Sequence, residues 1–169
     1  MARTVLAAIL SLATTSLAAG ELGLALGRST ESDETDIVRL TYRHPLAAKE
    51  WWMPNHLQFG GSLWRVPDIR GTNQRLDLNV TPVWRSMNSW GYVEAGIGGY
   101  LLSKTINSPT HRLPSSFQFG SHIGAGVRLG EGTIGIALQH LSNAGIKQPN
   151  GGIDLVLLQY TVSTGTPKR

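Results

Sequence analysis

Residues 117–129 read Phe-Gln-Phe-Gly-Ser-His-Ile-Gly-Ala-Gly-Val-Arg-Leu, and the chain changes character at every step. The odd positions are Phe117, Phe119, Ser121, Ile123, Ala125, Val127 and Leu129; the even ones are Gln118, Gly120, His122, Gly124, Gly126 and Arg128. A period of two separates these sets onto opposite faces of an extended strand, whereas an amphipathic helix repeats its apolar positions at three and four. The pattern returns at 75–85, where Leu76, Leu78, Val80, Pro82 and Trp84 oppose Arg75, Asp77, Asn79, Thr81 and Arg85. It returns again where Val93, Ala95, Ile97 and Leu101 alternate with Tyr92, Glu94, Gly96, Gly98 and Tyr100.

Eight such segments are predicted, at 21–28, 36–43, 55–65, 74–85, 91–102, 117–129, 132–143 and 153–162. Several are longer than the usual soluble strand and suit a tilted bilayer crossing of ~9–11 residues. Beyond residue 20 no apolar run approaches the ~20 residues of a membrane helix. The expected fold is therefore all-β, an eight-stranded antiparallel transmembrane β-barrel, apolar outside and filled by side chains within. A soluble lipocalin-like barrel also has eight strands, but it turns the apolar face inward. The glycine-rich second stripe, with Trp51, Trp52, Trp64, Trp84, Trp90, Tyr100 and Tyr160 read as interfacial girdles, favours the membrane form.

The N-terminus agrees. Met1-Ala2-Arg3 precedes an apolar stretch from Val5 to Leu17 and the small residues Ala18, Ala19 and Gly20. This predicts a cleaved export signal at 1–19 and a barrel domain at 20–169. Cysteine is absent, which excludes a disulfide scaffold and any thiolate nucleophile or metal ligand. The net charge of +4 is dispersed rather than gathered on one patch, a poor basis for nucleic-acid binding. His44, His56, His111 and His122 read as interfacial or interior polar residues. No two histidines stand at metal-ligand spacing, so neither metal nor cofactor is expected.

The links orient the barrel, since periplasmic turns are short and external loops long. Residues 86–90 and 130–131 are short; 66–73, 103–116 and 144–152 are long and fall in the external series. Residues 44–54 break the rule and are expected to form an interfacial anchor through Trp51 and Trp52.

Polar residues on the lipid face then stand out. The outward stripe of 132–143 reads Ile134, Ile136, Leu138, His140, Ser142, and that of 153–162 reads Asp154, Val156, Leu158, Tyr160, Val162. His140 and Ser142 share a face ~6.5–7 Å apart, and Asp154 comes beside them if the hairpin pairs these ends ~4.8 Å apart. A carboxylate that holds an imidazole, which in turn takes a serine proton, activates a weak hydroxyl nucleophile. His-x-Ser alone is a common pair, and an interfacial cap is its plain alternative. Three such groups converging on a lipid-facing rim ask for chemistry.

The whole run, His140-Leu-Ser142-Asn143-Ala-Gly145-Ile-Lys-Gln-Pro-Asn150-Gly-Gly-Ile-Asp154, resembles the signature of the PagL family of outer-membrane lipid A 3-O-deacylases. Signal, strand count and length match too, although the specific motif occupies only the last thirty residues. The resemblance implies a serine hydrolase that removes the ester-linked 3-hydroxyacyl chain at position 3 of lipid A. It assigns His140 as the base, Ser142 as the nucleophile and Asp154 as the orienting acid, a role usually held by glutamate. Asn143, Gly145 and Asn150 belong to the same motif, with Asn150 or the Gly145 N–H as oxyanion donor. Lys147 and Arg112, with Arg28 and Lys104, lie at predicted external ends and suit the phosphates of lipid A. The implied partners are lipopolysaccharide as substrate and outer-membrane lipid, with a homodimer left open. Aspartate is one methylene shorter than glutamate, so it must approach His140 more closely. Two rivals stand beside this reading: a non-enzymatic structural or adhesin-type barrel, and an outer-membrane phospholipase or acyltransferase using the same serine.

Overall fold

The computed structural model describes residues 19–31, 34–68, 71–107 and 112–164. The expected export signal at 1–19 lies outside them apart from Ala19, and so does His111. The described residues form ten strands: β1 (Glu21–Ser29), β2 (Asp36–Pro45), β3 (His56–Asp68), β4 (Gly71–Met87), β5 (Gly91–Leu102), β6 (Ile106–Asn107), β7 (Arg112–Leu113), β8 (Phe117–Leu129), β9 (Gly132–Ser142) and β10 (Ile153–Ser163). Eight of them close a barrel in the order β1-β10-β9-β8-β5-β4-β3-β2, while β6 and β7 pair separately. The barrel is a plain antiparallel meander, closed where β1 pairs β10 with Glu21 opposite Ser163. Closure leaves no unpaired edge, which hydrocarbon would not tolerate.

The alternation read from the sequence is the wall of this barrel. Leu76, Leu78 and Val80 of β4 are exposed, while Asp77, Asn79 and Thr81 between them are buried. Val93, Ile97 and Leu101 of β5 face out, whereas Tyr92, Glu94 and Tyr100 face in. An apolar belt around the whole circumference fits a lipid-facing barrel and rules out the lipocalin-like alternative. Strands β3 and β4 run beyond their expected ends, so most of the predicted 66–73 link is paired strand, down to Asp68 opposite Gly71. The lower turns are as short as expected. Gly130, at φ 60°, and Glu131 join β8 to β9. At the β4–β5 turn, Asn88 Oδ1 accepts the N–H groups of Trp90 and Gly91.

Two of the expected girdle aromatics belong elsewhere. Trp64 and Tyr100 are fully buried inside the barrel. Strand parity overrides residue type: both lie on the inward faces of β3 and β5, and Trp64 Nε1 donates to Asp77 Oδ2 at 2.6 Å. Trp51, Trp52, Trp90 and Tyr160 are exposed at the lower end. Trp84 Nε1 donates to the Trp52 carbonyl at 2.8 Å, fastening the link between β2 and β3 to the outer wall.

The interior is divided by height. Its upper part, at the ends of β1, β3, β5 and β9, is an apolar cluster that includes Ile37, Trp64, Val66, Leu102, Leu141 and Leu155. Ile106 and Leu113 of the β6–β7 hairpin cap it from above. The lower part is charged. Arg43 pairs with Glu94 at 3.1 Å and with Glu21 at 3.3 Å, and Arg85 also pairs with Glu21. Gln159 Nε2 donates to Glu94 Oε1, Arg43 Nη2 donates to Gln58 Oε1, and Arg85 stacks 4.0 Å over the Tyr92 ring. Each buried charge thus has several partners, the condition under which ions survive away from water.

Candidate active site

Strand register builds the site. Asp154 of β10 lies directly opposite His140 of β9. His140 Nδ1 and Asp154 Oδ1 are 2.7 Å apart. Cross-strand partners are the closest neighbours a sheet provides. The shorter aspartate therefore reaches the ring without the methylene that a glutamate would add. An ionised carboxylate only accepts, so Nδ1 donates, and in a neutral imidazole Nε2 is then the acceptor. Both side chains are about half exposed, on the outer face of the barrel near its upper rim. The Asp154 main chain is held from the other side, where the Thr30 N–H donates to its carbonyl at 2.9 Å.

Ser142 stands one outward position further up β9, partly exposed and opposite Phe119 of β8. A Ser142–His140 hydrogen bond is not among those that the described residues make. In such sites that bond commonly tightens only when substrate is bound. Gly152, whose φ is +64°, lies beside the imidazole on its rim side. A Cβ there would stand 2.8 Å from His140 Cε1 and 3.3 Å from Nε2. Only glycine meets both demands, a left-handed backbone and contact with the ring face.

The loop 143–152 folds on its own asparagines. Buried Asn143 accepts the Gly145 N–H through Oδ1 at 3.0 Å, and its Nδ2 donates to the Lys147 carbonyl at 2.8 Å. The Asn143 N–H donates in turn to Asn150 Oδ1 at 3.2 Å. The Gly145 N–H is thus engaged within the loop, and Asn143 is a staple. Asn150 has its oxygen fixed and its Nδ2 outside these bonds, so of the two expected oxyanion donors it is the one left uncommitted by the loop. Gly151 N–H donates to the Arg112 carbonyl at 3.2 Å, so the loop and the β6–β7 hairpin form one surface. Arg112 and Lys147 are exposed on that surface. Arg28 is tied to Asp36 at 2.8 Å, which offsets its charge, and Lys104 lies exposed in the β5–β6 link.

A groove of about 470 Å³ runs across the outer wall at the level of the dyad, lined by Thr30, Ser121, Ile123, Leu138, His140 and Asp154. It combines an apolar wall with a few convergent polar groups, as ligand sites do, and Ser142 stands outside its lining. Thr30, Ser121 and Gly152 were not singled out from the sequence. Only Ser121 left a signal there, as the one hydroxyl in the outward stripe of β8.

Known proteins resemble this chain. A family model described as lipid A 3-O-deacylase (PagL) matches residues 36–163. The lipid A deacylase PagL of Pseudomonas aeruginosa is 31% identical over 170 residues, covering 94% of each chain. The lipid A deacylase PagL of Bordetella bronchiseptica is 40% identical over 106 residues, or 62% of this chain and 59% of that relative. A crystal structure of the outer membrane enzyme PagL superposes with a TM-score of 0.64 at 26% identity, covering 84% of this chain and 98% of that one. With its closed eight-stranded wall and the match spanning β2 to β10, the chain belongs to the lipid A 3-O-deacylase (PagL) family.

Proposed function

We propose that this protein is an outer-membrane lipid A 3-O-deacylase working through Ser142, His140 and Asp154, after export on a signal at 1–19. The observation that carries the reading is the 2.7 Å contact between His140 and Asp154 on a largely apolar outer wall. Lipid-facing charge is costly towards the midplane and cheaper towards the rim, so a pair kept there points to a substrate lying in the leaflet.

In the proposed reaction Ser142 Oγ attacks the carbonyl carbon of the ester at position 3 while His140 Nε2 takes its proton. The new C–O bond puts charge on the carbonyl oxygen, where Asn150 Nδ2 is the preferred donor; one good donor supplies ~3–4 kcal/mol. The tetrahedral species collapses, the bond to the sugar oxygen breaks, and His140 returns the proton to that oxygen. Water then attacks the acyl-serine with the same base, releasing the 3-hydroxy fatty acid and restoring Ser142. Asp154 holds the tautomer and balances the imidazolium charge. Arg112 and Lys147 meet the lipid A phosphates above the groove.

Mass spectrometry of lipid A from cells making wild type or Ser142→Ala tests this. Wild type should remove one 3-hydroxyacyl chain, and Ser142→Ala should leave it in place, with a loss on the order of 10⁴–10⁶-fold in rate. Unchanged lipid A beside well-assembled wild type defeats the proposal, and cleavage of glycerophospholipid instead would make the protein a phospholipase.

A further inference from the structure

His140 has a second cross-strand neighbour. On the side away from Asp154 it lies directly opposite Ser121 of β8. Ser121 is exposed and lines the same groove as the dyad. Along its own strand it interrupts an apolar outward stripe, between Phe119 and Ile123. Its partner on the other side, Ile97 of β5, is apolar and exposed. A hydroxyl on a lipid-facing wall needs a polar partner, because leaving one unpaired in an apolar setting costs free energy. His140 Nδ1 is engaged by Asp154, and in the proposed mechanism Nε2 takes the proton of Ser142, so the imidazole is committed elsewhere. A substrate lying in the groove would supply the partner that the apolar wall does not.

We infer that Ser121 is a specificity-determining residue that hydrogen-bonds the hydroxyl on C3 of the acyl chain being removed. The inference rests on the deacylase reading and names a subsite within it. Ser142 pairs with Phe119, so Ser121 is its diagonal neighbour, one outward position nearer the bilayer centre. Diagonal pairs stand ~7–8 Å apart. An acyl chain with its carbonyl at Ser142 and its tail descending past Leu138 and Ile123 passes Ser121 within a few bonds of the carbonyl. The attacking oxygen and carbonyl carbon take up ~3–3.5 Å of that span and an O–H···O bond ~2.7–2.8 Å. The short C1–C3–O segment of a 3-hydroxyacyl chain bridges the rest. An unhydroxylated chain offers Ser121 nothing.

The test uses purified wild type, Ser121→Ala and Ser121→Thr in detergent micelles. Each is given lipid A carrying either a 3-hydroxyacyl chain at position 3 or the same chain without its hydroxyl. Wild type should prefer the hydroxylated ester, and Ser121→Ala should lose about tenfold in kcat/KM on it alone. Ser121→Thr should keep the preference. Equal rates for wild type and Ser121→Ala on the hydroxylated ester overturn the inference. An equal loss on both esters also overturns it, by making Ser121 a support for His140. Wild type inactive on both esters defeats the deacylase reading itself and this subsite with it. A heat-shifted band for each variant on an unboiled gel confirms an assembled barrel.

Discussion

Glu94 and Asp154 are carboxylates in one thin wall, yet they live under opposite rules. Glu94 faces inward, fully buried, and meets Arg43, Arg85, Gln159 and His122. Asp154 faces outward, about half exposed, and its side chain bonds one partner, His140. The first is held by so many groups that it can do little but hold them in return. The second keeps its partner's other nitrogen open to a newcomer. Within a single barrel, then, the number of partners separates a structural carboxylate from the one we propose to be catalytic.

The largest effect expected from breaking this contrast comes at Asp154. Asp154→Asn should keep the shape but favour the wrong tautomer, costing on the order of 10³–10⁴-fold in turnover with an unchanged unfolding midpoint. A small loss of turnover would mean that position, rather than charge, does the work. Glu94→Ala should do the reverse. It leaves Arg43 and Arg85 without their shared carboxylate and should cost ~3–5 kcal/mol of stability. Urea unfolding in lipid vesicles reads that loss, while activity per folded molecule should hold. If activity falls in the same proportion, the two regions are coupled and the contrast fails. Gly152→Ala is the finest cut. Its new Cβ meets the His140 ring at 2.8 Å, and a displacement of about 1 Å at a reacting group costs ~100-fold. The accompanying backbone strain is only ~1–2 kcal/mol, so kcat should drop well before the fold does.

The wall was legible because its period is two, and a register slip would have turned every leucine of β4 inward. The interior was not, for two reasons. Trp64 and Tyr100 were read by residue type as girdle, although their parity with Ser62 and Gln118 places them inside. The apolar upper interior was hidden because β10 is apolar on both faces: Leu155 and Leu157 point in, Val156 and Leu158 out. At the site, the sequence named His140, Ser142 and Asp154 as neighbours on one face. It could not fix the pairing, and the direct opposition of His140 and Asp154 decides whether an aspartate is long enough. Asn143 and Asn150 could be assigned to the loop. Which one spends its amide on the backbone depends on a fold of 143–152 that has no periodicity to read.

The apolar upper interior, closed above by Ile106 and Leu113, bears on permeability. An ion entering the charged lower half would have to shed its water to pass Trp64, Leu141 and Leu155, a step that carries the full cost of dehydration. A planar bilayer loaded with this barrel should therefore show no conductance steps. Many copies can then sit in one membrane without opening a leak through it.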